Sequence, residues 1–291
     1  MFIKVDEQGF TINSVYKVSY AEILSEINIS ENDIVYLSGS LIEGYIDECS
    51  KGMGNPLSDM DVFIIRQHVD NINTNFEFIE GISKTYFRTI NGINLDVEVI
   101  DTDTVDRITD ALLRLNLKQE QNVMSMLSSG LPKGCDFQHI NSFLNRIFYS
   151  ICIYNEVGYK QVKSALKFDK FLALKSLHLS NITESILQDV RGNLVAGQAD
   201  ASLYSIRFAI TYIMEIALSL YGVFVDREKW VALKFINLAQ TNPVYDNLLA
   251  LYNNMFKGDM SSDSHTLAKI NDSLEKAKTE LEQLFLKGLE I

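Results

Sequence analysis

Two short stretches decide the fold of this chain: Val35-Tyr36-Leu37-Ser38-Gly39-Ser40 and Ser58-Asp59-Met60-Asp61-Val62-Phe63-Ile64-Ile65. The first is an apolar run that ends in Gly-Ser, which is typical of a strand running into the start of a helix. The second becomes wholly apolar after Asp61, which indicates a buried strand. Because alternate side chains of a strand share a face, Asp59 and Asp61 are predicted to lie side by side.

A third carboxylate is supplied by the clearest hairpin of the sequence. Two β-prone runs, Thr85 to Ile90 and Ile93 to Ile100, are joined by an Asn-Gly pair that favours a type I′ turn. Asp96 and Glu98 share one face of the second strand. Both are therefore kept as candidate catalytic residues.

Carboxylates in this arrangement favour a bound cation. Two neighbouring carboxylates repel each other, so one becomes protonated or a cation lies between them. Such oxygen ligands suit Mg²⁺, which takes one or two carboxylates together with substrate phosphates. Upstream, Gly39 lets a phosphate approach the backbone, and Ser40 and the helix N-terminus can bind it. A phosphate-binding turn followed by three carboxylates is what two-metal phosphoryl transfer requires.

Together these elements resemble the nucleotidyltransferase fold of the DNA polymerase β superfamily, in its bacterial small-substrate and antitoxin-type members with a helical C-terminal domain. That family combines a hydrophobic strand, Gly-Ser, a carboxylate-x-carboxylate strand and a third carboxylate on a later strand. The resemblance covers about residues 30–100. It implies that Asp59, Asp61 and Asp96 bind two Mg²⁺ ions, and it favours Asp96 over Glu98 because Leu-Asp-Val is the commoner-looking match.

The same resemblance assigns further residues to the nucleotide. Ser58 matches a serine that compact members often place before the first aspartate, and Gly44 matches a second glycine that is frequent in them. Lys229 and Lys234, on either side of the single tryptophan, look like a Lys-Trp segment in which lysine approaches phosphate. The segment 45–58 is longer than in compact members, and we interpret it as an inserted loop at the mouth of the site.

After Asp101 the pattern changes from strands to helices. Apolar residues recur at three- and four-residue spacing in 105–117, 141–153, 162–178, 202–221, 231–239 and 266–289. The chain is therefore predicted to be α+β, with a nucleotidyltransferase-type mixed sheet and helices over residues 1–103 and an all-α helical bundle over residues 104–291. A stripe of lysines at helical spacing is expected to form a solvated face: Lys163, Lys167, Lys170 and Lys175.

Charge and composition limit the possible partners. The net charge of the 291 residues is −12; residues 1–105 hold 6 basic and 18 acidic side chains, whereas residues 106–291 hold 20 of each. An acidic surface repels phosphate backbones, so nucleic acid is not expected as a partner. No apolar run approaches the ~20 residues of a membrane span, no apolar signal core is seen at the N-terminus, and no cysteines are paired as CxxC. A cytoplasmic protein is expected.

The leading functional hypothesis is an enzyme that transfers a nucleoside monophosphate from an NTP, expected to be ATP, to a hydroxyl of a small molecule. The acidic first domain favours a cationic acceptor such as an aminoglycoside. Two alternatives stay open. One is transfer to a protein or to a tRNA end, as in toxin–antitoxin systems, and the other is a catalytically silent nucleotide-binding module.

Overall fold

The computed structural model describes residues 3–12, 16–55, 57–67, 78–80, 82–117, 131, 134–258 and 263–288. The chain divides into two compact units, Met1–Lys170 and Phe171–Ile291. The α+β class is confirmed, because mixed sheets with helices come first and a helical region follows. The domain boundary predicted after residue 103 falls inside the first unit.

The strands of the described residues form two sheets in the first unit. The smaller sheet is antiparallel and has the order β1 (Ile3–Val5), β2 (Gly9–Ile12) and β3 (Tyr16–Ser19). The larger sheet is mixed and consists of β4 (Ile34–Ser38), β5 (Met60–Arg66), β6 (Phe78–Glu80), β7 (Ser83–Ile90), β8 (Ile93–Asp101) and β9 (Ile151–Tyr154). Its strand order is β6-β7-β8-β5-β4-β9, so β5 and its two neighbours lie at the centre.

Helices of the first unit begin where the sequence provides caps. They are α1 (Tyr20–Glu26), α2 (Gly39–Ile46), α3 (Thr102–Arg114), α4 (Phe137–Phe148) and α5 (Glu156–Ala165), and α6 (Phe168–Val195) begins at the end of this unit. Side chains of Ser19, Asp101, Asp136 and Asn155 accept backbone N–H groups at the starts of α1, α3, α4 and α5. Helix α2 differs, because Ser38 at its start makes no capping bond.

The predicted central strand and hairpin are confirmed. β5 contains the apolar run after Asp61, and every residue from 62 to 66 is buried. β7 and β8 pair as an antiparallel hairpin. Asn91 and Gly92 between them both have positive φ, 52° and 80°, as a type I′ turn requires.

One predicted helix is wrong in its second half. The apolar spacing of 141–153 indicated a single helix, but α4 ends at Phe148 and residues 151–154 form β9. β9 pairs with β4 at the edge of the larger sheet. A four-residue apolar stretch fits both the helical period of 3.6 and the strand period of 2. Pairing with β4 therefore decides its conformation.

The second unit contains the remainder of α6 together with α7 (Ala199–Leu220), α8 (Val231–Thr241), α9 (Asp246–Phe256) and α10 (Asp263–Gly288). Among the described residues, α7 alone is long and apolar enough, by length and composition, to span a bilayer. Its sequence is not one uninterrupted apolar run, because Arg207 and Glu215 lie within it. Since 56% of its most apolar stretch is buried inside the protein, α7 has the burial of a core helix.

The predicted solvated face of lysines is wrong for Lys175, and two partly exposed members also bond to helix ends. Lys163 donates to the carbonyl of Phe148, the last residue of α4, at 2.9 Å. Lys170 donates to the carbonyl of Leu113, in the last turn of α3, at 3.0 Å. Lys175 is buried in the second unit. Cations are favourable at helix C-termini, so the first two lysines cap helices instead of facing solvent alone.

Candidate active site

The structure brings two of the predicted carboxylates together. β5 and β8 are parallel neighbours, and their register pairs Asp61 directly with Asp96. Neighbouring strands lie about 4.8 Å apart, so these side chains project next to each other from one face of the sheet. Both residues are partly buried. A pair of carboxylates in this position favours a bound cation.

Gly39 lies against the carboxylate of Asp61. β4 pairs with β5 so that Ser38 is opposite Asp61, and Gly39 follows as the first residue of α2. A Cβ atom built on Gly39 would lie 1.7 Å from Oδ2 of Asp61 and 2.5 Å from its Cγ. The φ of Gly39 is +82°, which also disfavours any residue with a side chain. Glycine is therefore required here for two separate reasons.

The N-terminus of α2 is arranged to receive an anion. The hydroxyl of Ser38 does not cap α2; it lies 2.7 and 2.8 Å from the carbonyl oxygens of Arg146 and Tyr149. The first N–H groups of a helix have no partners within the helix and carry the positive end of its dipole. Ser40, partly buried in this first turn, adds a hydroxyl. The carboxylate of Asp61 and a phosphate both suit this position.

Asp59 and Ser58 lie just before β5. Asp59 is exposed and precedes the ladder that pairs Asp61 with Asp96. The hydroxyl of Ser58 accepts the backbone N–H of Asn55 at 3.0 Å and so closes the turn before the strand. In the part of the chain that the structure describes, no three His, Cys, Asp or Glu side chains converge as a ready-made metal site. The structure thus brings Asp61 and Asp96 together, whereas Asp59 precedes β5 and is not part of this pairing.

Glu98, the alternative third carboxylate, already faces a cation. Its Oε1 and Oε2 lie 2.8 and 2.9 Å from Nη1 of Arg146 in α4, and the two side chains are 15% and 17% exposed. The guanidinium of Arg146 also lies over the ring of Phe63 in β5, 5.1 Å from its centroid. Sequence analysis missed Arg146. The available signal was an arginine beside the buried positions Asn145 and Ile147 of an amphipathic helix.

The two lysines predicted to approach phosphate lie in the second unit and differ in environment. Lys234 in α8 is 1% exposed, and its ammonium donates to the carbonyl of Phe224. Lys229 is exposed, with its ammonium 4.9 Å from the ring centroid of Trp230. Lys234 therefore stabilises the interior of the helical unit, and Lys229 is the one that solvent reaches.

Comparison of the sequence with protein-family models gives no match, and comparison with curated proteins gives none either. Among solved structures, the chain is similar to one described as a nucleotidyltransferase-like protein from Exiguobacterium sibiricum 255-15, with a TM-score of 0.46 and 11% sequence identity. The match covers 92% of this chain and 74% of that one.

Proposed function

We propose that this protein is a Mg²⁺-dependent nucleotidyltransferase, which moves a nucleoside monophosphate from an NTP to a hydroxyl group. The observation that carries the proposal is the pairing of Asp61 with Asp96 next to the uncapped, glycine-initiated N-terminus of α2. A carboxylate pair favours a cation, and a helix N-terminus favours an anion. Together they suit a metal-bound phosphate.

The donor set fits Mg²⁺. Asp61 and Asp96 would hold the ion, and Asp59 at the start of β5 would contribute to a second one. Glu98 is less suited to this role because Arg146 already pairs with its carboxylate. Bound Mg²⁺ would supply charge neutralisation at the triphosphate and at the acceptor oxygen.

The remaining chemistry would fall to groups of the chain. Backbone N–H groups at the start of α2 and the hydroxyl of Ser40 orient the β- and γ-phosphates. Asp96 accepts the proton of the acceptor hydroxyl. The acceptor oxygen then bonds to the α-phosphorus while the bond to the β-phosphate oxygen breaks, and pyrophosphate leaves. We propose ATP as the donor.

For the acceptor, we propose a small, amine-bearing molecule such as an aminoglycoside. The proposal is supported by the 18 acidic against 6 basic residues in residues 1–105, the segment that contains Asp61 and Asp96. Electrostatic attraction of a cation weakens with salt, because screening acts over about 8 Å at physiological ionic strength. In a screen with α-labelled ATP, amine-bearing acceptors should be preferred and the preference should shrink in high salt. Labelling of a protein or an RNA end instead would refute this choice of acceptor.

The reaction class is tested by nucleotide binding and by pyrophosphate release. Asp61→Asn and Asp96→Asn should abolish Mg²⁺-dependent release while the chain stays folded. Ser40→Ala should weaken MgATP binding by about 1.5–3 kcal/mol, as for one hydrogen bond to a charged group. Asp103→Asn, at an exposed ion pair of α3, is the matched control. If both aspartate variants keep Mg²⁺-dependent turnover, the proposed site is wrong.

A further inference from the structure

Arg146, in the last turn of α4, contacts all three strands that carry the candidate site. Its carbonyl oxygen accepts the hydroxyl of Ser38 in β4 at 2.7 Å. Its guanidinium lies over Phe63 of β5 and pairs with Glu98 of β8. One side chain and its own backbone therefore join three neighbouring strands.

Each of these contacts lies next to a residue of the site: Ser38 precedes Gly39, Phe63 follows Asp61 by two positions, and Glu98 follows Asp96 by two positions. Residues two apart on a strand share a face. The guanidinium therefore lies on the same face of the sheet as Asp61 and Asp96, one row further along the strands.

The C-terminal end of α4 is well fixed for presenting this arginine. The amide of Asn145, the preceding residue, lies 3.4 Å from the carboxylate of buried Glu43 in α2. The carbonyl oxygen of Ile147 accepts the hydroxyl of Ser150 at 2.6 Å. Carbonyl groups at the end of a helix lack partners within the helix, and here side chains satisfy them. Arg146 is thus held by a rigid element.

The charges on this face create a conflict that Arg146 resolves. Asp61, Asp96 and Glu98 place three carboxylates on two adjacent strands. A cation at the first two would also attract the third, and a flexible glutamate could replace an aspartate as its ligand. Both carboxylate oxygens of Glu98 instead contact one guanidinium nitrogen of Arg146, so Glu98 does not compete with the aspartates for the cation.

We propose that Arg146 is a positioning residue, which holds Glu98 away from the bound cation so that Asp96 completes the ligand set with Asp61. This inference rests on the proposed function, because it presumes a divalent cation at these aspartates. It predicts opposite effects when either charge of the pair is removed. Loss of packing alone would weaken the site in both cases.

The test measures Mn²⁺ binding to the full chain. Calorimetry gives the affinity, and electron paramagnetic resonance reports the ligands around the ion. Arg146→Met keeps an apolar stem over Phe63 but frees Glu98, so Mn²⁺ should bind about tenfold more tightly with an altered spectrum. Glu98→Gln leaves the arginine charge uncompensated, so Mn²⁺ should bind about tenfold more weakly. The double variant Arg146→Met/Glu98→Gln should return close to wild-type affinity.

Two comparisons separate the possible failures. Arg107→Met, at the exposed ion pair of α3, should leave Mn²⁺ affinity unchanged and is the matched control. Weaker binding in both single variants, no change in either, or tighter binding by Arg146→Met with an unchanged spectrum would overturn the positioning role, because charge alone can change the affinity without changing the ligands. If Arg146→Met does not fold, the spectrum of Glu98→Gln decides: an unchanged spectrum supports a glutamate held away from the ion, and a changed spectrum overturns it. Equal Mn²⁺ binding by wild type and Asp61→Asn would instead overturn the proposed function, and this inference with it.

Discussion

Replacement of Gly39 by alanine tests whether the carboxylate of Asp61 is held against the start of α2. At a φ of +82° an alanine costs about 1–2 kcal/mol in backbone strain. The new methyl group would lie 1.7 Å from Oδ2 of Asp61, so the carboxylate must move. Forcing a packed side chain from its place costs typically about 1–3 kcal/mol more. We expect Gly39→Ala to lower the free energy of unfolding by about 2–5 kcal/mol.

Two controls separate strain from collision. Gly92 has nearly the same φ, +80°, but a methyl group there would lie 3.6 Å from Cε1 of Tyr16, an ordinary contact. Gly92→Ala should therefore cost only about 1–2 kcal/mol. In an Asp61→Ala background the carboxylate is gone and only the Cβ of residue 61, 3.0 Å away, still contacts the new methyl group, so the cost of Gly39→Ala should fall towards that range.

The assay is hydrogen exchange of the full chain in increasing urea, measured on peptides that contain residues 34–38 and 60–66. These peptides report the opening of β4 and β5 and not of the helical unit. Equal costs for Gly39→Ala and Gly92→Ala would refute the close approach of Asp61. An undiminished cost in the Asp61→Ala background would refute it too.

Three further predictions concern buried polar groups. The buried hydroxyl of Tyr36 has no hydrogen-bond partner among the described residues, so Tyr36→Phe should stabilise β4 by about 1 kcal/mol in the same exchange assay; destabilisation would reveal a partner. Lys175 and Glu215 form an ion pair at 2.7 Å with 2% and 10% of their side chains exposed. Lys175→Met should cost about 3–5 kcal/mol in urea unfolding followed by Trp230 fluorescence, and Lys175→Met/Glu215→Leu should recover part of it; no recovery would contradict a charge effect. Burial lowers the pKa of His178 below 6.5 in the folded chain. As the pH falls, this imidazole is therefore protonated in the unfolded chain before it is protonated in the folded one. Stability of the second unit should fall as the pH drops from 6.5 towards that lowered pKa, and His178→Gln should flatten the fall; identical pH profiles would contradict this.

Features set by neighbouring residues were predictable from the sequence. The apolar run after Asp61 predicted β5, and the Asn91-Gly92 pair predicted the hairpin, because strand period and positive φ are local properties. A turn from strand to helix at Gly39 was predicted for the same reason. Local pattern failed at residues 151–154, where a short apolar stretch suits either a helix or a strand.

Contacts between distant residues were decided only by the tertiary structure. The strand pattern alone left both Asp96 and Glu98 open as partners of Asp61, and only the family resemblance favoured Asp96; the parallel register of β5 and β8 pairs Asp61 with Asp96. Arg146 meets Glu98 across 48 residues of chain, a contact that no local period encodes. The burial of Lys234 is likewise not encoded in the local sequence pattern. A sequence pattern specifies which face of an element is apolar, but only packing against other elements determines which charges meet.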